Sequence, residues 1–62
     1  MNTLTLELEL TEQEALALAQ FVKRIGWQEI RINAVDDDEA YRMRDAIAHV
    51  RSALSRQGFS PR

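Results

Sequence analysis

The sequence predicts an α+β domain: an N-terminal β-strand followed by two antiparallel α-helices, with a short helix or strand between them. Three observations carry this. Leucines alternate with threonine or glutamate over residues 3–10, the period-two signature of a strand with one buried face. Two later stretches set apolar residues three and four positions apart behind capping residues, as amphipathic helices do. The 62 residues contain no linker, repeat or low-complexity tract and make one small domain, residues 1–62.

The strand is expected to place Leu4, Leu6, Leu8 and Leu10 on the helices. Its hydrogen-bonding edges need either a second strand at 28–33 or the same strand of another copy. Thr11 and Glu14 then form a reciprocal capping box, and the first helix runs from Glu12 to Ile25. Its buried stripe is Ala15, Leu18, Ala19, Val22 and Ile25, and Gly26 supplies a left-handed stop. Residues 27–35 fit two patterns: a helical spacing of Trp27, Ile30 and Ala34, or a strand through Ile30, Ile32 and Ala34. A parallel pair with residues 3–10 would be small and poorly protected, which favours a short helix or turns. Asp36 caps the last helix, with Glu39 three residues on. Ala40, Met43, Ile47, Val50 and Leu54 form its stripe, Gly58 ends it, and Phe59 folds back on its last turn. Ser60, Pro61 and Arg62 read as a fraying tail.

Composition bounds the class. With no cysteine and one histidine, neither disulfides nor a Cys/His metal site can staple the fold, and a reducing compartment is expected. No run approaches the roughly 20 apolar residues of a membrane span. The opening Met-Asn-Thr-Leu lacks the positive region of a signal peptide. A soluble cytoplasmic protein, monomer or homodimer, is the expectation.

Catalysis finds little support. His49 shares a face of the last helix with Asp45 and Ser52, but one exposed helical face offers no cleft and no oxyanion donors. A surface ion pair between Asp45 and His49 is expected instead. The run Asp36-Asp37-Asp38-Glu39 is consecutive and lacks the glycine of a calcium loop. It reads as helix capping, and no metal or cofactor is expected. Neither glycine belongs to a phosphate-binding loop.

Charge is more telling. Residues 1–39 carry nine acidic groups against Lys23, Arg24 and Arg31, a balance of −6, whereas residues 40–62 stand at +4. Glu7, Glu9 and Glu12 with Asp36, Asp37, Asp38 and Glu39 would, if adjacent in space, offer a row of carboxylates to a basic partner surface and fill a groove meant for nucleic-acid phosphates. The arginines Arg42, Arg44, Arg51 and Arg56 are scattered around the last helix. With no aromatic stacking platform, they make a direct nucleic-acid contact the lesser alternative. Leu16 and Tyr41 fall off their apolar stripes, and with Arg42 they are secondary candidates for a partner contact such as toxin neutralisation.

Leu10-Thr11-Glu12-Gln13-Glu14-Ala15, Ala19 through Gly26, Ala34 through Tyr41, Met43 through Ala46, Ala53-Leu54, Gly58-Phe59 and Pro61-Arg62 resemble a group of very short proteins of bacteria and their phages. The chain is similar to small anti-CRISPR proteins directed at type I effector complexes, type I-C among them. That resemblance implies an inhibitor, carried by a phage or other mobile element, which acts in the cytoplasm of a bacterial host. It would bind a subunit of a CRISPR-Cas effector complex and stop it engaging target DNA.

Overall fold

The computed structural model describes residues 2–59, and among them the only regular elements are three helices: α1 Glu12–Arg24, α2 Trp27–Asn33 and α3 Asp37–Arg56. The α+β expectation is corrected: no strand or sheet forms among the described residues. Residues 2–10 lack regular structure, and no backbone hydrogen bond joins them to the other described residues. A strand is stable only beside another, and the segment that might have paired with it, 27–33, is helical. Nor do the leucines form core, since Leu4, Leu6 and Leu8 remain 78%, 82% and 71% exposed. The expected tail, Ser60 to Arg62, lies outside the described residues.

α1 begins as its capping residues dictate. The Thr11 hydroxyl accepts the Glu14 amide hydrogen at 3.0 Å, and the Glu14 carboxylate accepts that of Thr11 at 2.9 Å. Its end differs from expectation by one residue. Ile25 is the C-cap, and Gly26 is extended at φ −100°, serving as the N-cap of α2 rather than a left-handed stop. α3 starts on Asp36, whose carboxylate accepts the Glu39 amide hydrogen at 2.8 Å; the Glu39 carboxylate takes the Val35 amide hydrogen at 2.9 Å.

The C-terminus of α3 is a Schellman motif. Gly58 adopts φ +92°, the Phe59 amide donates to the Leu54 carbonyl and the Gly58 amide to that of Ser55, both at 2.9 Å. This turn seats Phe59 against the core cluster.

α3 is the spine. It packs against α1 and against α2, which do not pack on each other. Ala15, Ala19 and Val22 of α1 meet Leu54, with Leu18, Ile47 and Phe59 around them. Ile30 of α2 and Ala40 of α3 are the other buried residues. The principal extents are 34 × 28 × 15 Å, so the molecule is flattened along one axis. Alanines supply half of these buried positions.

Candidate functional site

Asp36, Asp37 and Asp38 stand exposed where α2 turns into α3, and Glu39 is half-buried beside them. Two of the four serve the backbone: Asp36 and Glu39 accept the amide hydrogens of Glu39 and Val35. Asp37 pairs with Arg31 at 2.9 Å, tying the end of α2 to the start of α3. Both side chains are more than half exposed, so the pair contributes about 0–1 kcal/mol. Asp38 makes no ion pair among the described residues and projects its charge into solvent.

Glu7, Glu9 and Glu12 lie elsewhere. Glu7 and Glu9 belong to the irregular N-terminal segment, whose leucines share an open hollow of about 830 Å³ with Val50, Ala53 and Leu54 of α3. Glu12 opens α1, whose first buried residue, Ala15, joins the cluster around Leu54. α3 is 20 residues long, about 30 Å at 1.5 Å per residue. The carboxylates therefore form two groups, one near each end of α3, rather than one row.

Two large apolar side chains frame the acidic run and were passed over in the sequence. Ile32 is 82% and Val35 85% exposed. The signal for Ile32 was its position two residues after buried Ile30, which on a helix points it to the opposite side. Val35 precedes the N-cap, where an apolar residue often staples onto the fourth helical residue. Here that residue is Ala40, too small to hold it.

Tyr41 is off its stripe because it packs on α2. Its ring lies 5.1 Å from that of Trp27, and the Arg44 guanidinium sits over the Tyr41 ring, 5.0 Å from its centroid. Tyr41 remains about half exposed, as does Leu16 on the outer side of α1, and Arg42 is exposed. The expected Asp45–His49 pair is absent: Asp45 meets Arg44 at 3.3 Å, and His49 instead borders the hollow beneath the leucines. No three His, Cys, Asp or Glu side chains among the described residues could share a metal ion. No helix among them is long and apolar enough to cross a membrane.

These features define a flat three-helix chain with an irregular N-terminal arm, an acidic and apolar corner between α2 and α3, and an aromatic pair beside it. The chain belongs to a family of unknown function, DUF7706, whose model matches residues 1–62. No curated protein and no solved structure matches it.

Proposed function

We propose that this chain is a binding protein that acts by occupying a surface of another protein, with the α2–α3 corner as its contact. One observation carries the reading: Ile32 and Val35, each more than four-fifths exposed, stand beside Asp36, Asp37 and Asp38. Exposed aliphatic side chains rimmed by charge are the anatomy of a protein-binding patch. The charge selects a basic partner surface and speeds encounter with it. Nucleic acid would be repelled by the same carboxylates. The resemblance gives the partner a particular identity, the DNA-binding surface of a type I CRISPR effector complex in a bacterial host, which an acidic inhibitor would block.

The test is a tagged pull-down from a bacterial lysate that contains such a complex, run with the natural sequence and with Val35→Lys and Asp38→Lys. Neither substitution touches the core, so circular dichroism should be unchanged. Recovery of effector subunits that falls at least tenfold in both variants is the expected result. Equal recovery by folded variants would remove the corner as the contact. Failure to recover any subunit would remove the effector as the target.

A further inference from the structure

We propose that the N-terminal arm, residues 2–10, which has no regular structure in the single chain, pairs antiparallel with the same segment of a second copy, so that the protein is a homodimer closed by a two-stranded ribbon. This uses a different surface from the partner-binding corner and stands without it.

The chain exposes more surface than a compact protein of its size should. Its accessible area is 5671 Å², whereas a folded monomer of 7.1 kDa is expected to expose roughly 4,100 Å². Its radius of gyration is 12.6 Å, against about 10.6 Å for a compact chain of 62 residues. The excess is roughly 1,600 Å², and a standard interface removes about 800 Å² from each partner. A dimer contact fits within that excess.

The arm is where much of this surface lies. Leu4, Leu6 and Leu8 are more than two-thirds exposed, on a backbone that makes no backbone hydrogen bond to the other described residues. Backbone left unpaired in this way is open to pairing with another strand.

Its sequence selects its own copy in one register. Antiparallel neighbours directly opposite each other share a face, so leucines must oppose residues of the same parity. Centring the pair on Leu6 sets Leu6 against Leu6, Leu4 against Leu8 and Asn2 against Leu10. The other face then pairs Thr5 with Glu7 and Thr3 with Glu9, with no like charges directly opposed. A shift to Glu7 would oppose Glu7 to itself, and a shift to Leu8 would oppose Glu7 to Glu9. Both are penalised. A shift to Thr5 leaves Leu10 beyond the end of the ribbon. The Leu6 register thus pairs the whole arm and lays both leucine faces over the hollow lined by Leu18, Val50, Ala53 and Leu54.

The experiment is the solution mass of the purified full chain by sedimentation equilibrium, together with two substitutions. The expected mass is twice 7.1 kDa, falling to one chain in Leu6→Lys, where two charges would face each other across the axis. Helical circular dichroism retained in Leu6→Lys would show that the arm was lost without the helices. The chain has no cysteine, so Leu6→Cys should form a disulfide-linked dimer under mild oxidation. Glu7→Cys should not, because its copies would be offset diagonally, about 7–8 Å apart. A natural chain that stays monomeric at millimolar concentration would overturn the proposal. So would a dimer that survives Leu6→Lys, or one that cross-links through Glu7→Cys and not through Leu6→Cys.

Discussion

At Gly58 the backbone adopts φ +92°, and the two hydrogen bonds that close α3 depend on it. A side chain there meets open space but forces a left-handed L-residue, at roughly 1–2 kcal/mol. Gly58→Ala should therefore lower the melting temperature by about 4–8 °C for each kcal/mol in a domain this small. Gly26 is different, because its φ of −100° suits any residue. An added Cβ would come within 2.8 Å of the Glu29 carboxylate, the far end of a side chain able to move aside. Gly26→Ala should shift stability by no more than about 0.5 kcal/mol, within the range of ordinary surface changes. Thermal melts of the two variants side by side check both, and equal losses would contradict the left-handed assignment of Gly58 alone. Asp36 holds a comparable local role. Asp36→Ala frees the Glu39 amide and should cost about 1 kcal/mol by urea titration, without altering the exposed charge of Asp38.

Among the elements, α2 depends most on its neighbours. Its seven residues are too few for a helix to persist alone in water, and Ile30 is its one buried side chain. What holds it is Ile30 beside Ala40, Trp27 on Tyr41 and the Arg31–Asp37 pair. Ile30→Ala should cost about 2 kcal/mol or more and loosen this corner before the α1–α3 pair. Trp27 is the sole tryptophan, so a red shift of its emission at urea concentrations that leave most helical circular dichroism intact is the expected signature. Simultaneous loss of both signals would mean that α2 unfolds with the whole. The same contrast explains what could be read in advance. The starts of α1 and α3 were legible because Thr11, Glu14, Asp36 and Glu39 act within a few residues of themselves. The leucine alternation was legible as a pattern but not as a strand, because strand formation needs a partner the single chain does not contain. α2 stayed open between helix and strand because Ile30, Ile32 and Ala34 satisfy both periods, and Tyr41 packing on Trp27 is a contact across 14 positions. The acidic residues of the corner were found by their run, yet their separation from Glu7, Glu9 and Glu12 is set by the length of α3. Ile32 and Val35 were missed while 27–35 was unresolved between two conformations.

For the molecule as a whole, the 15 Å thickness decides more than any single contact. So flattened a body of three helices surrounds large side chains poorly, and none is fully buried among the described residues. Folding then rests on the buried alanines, on caps, and on whatever covers the leucine arm. If a second copy covers it, association and stability are one equilibrium, because a partner that binds only the folded state raises the apparent stability by mass action. The melting temperature of the natural chain should climb as protein concentration rises. In Leu6→Lys it should be lower and independent of concentration, while Asp38→Lys, at the far corner, should keep the dependence. Pairing through the arm would also carry two acidic corners on one particle. A partner with two basic sites within reach would then bind with an avidity that Leu6→Lys removes although every residue of the corner is intact. A melting temperature that ignores concentration in the natural chain would mean that the six buried residues and the helix caps suffice, and that the leucines of the arm face water in the folded state.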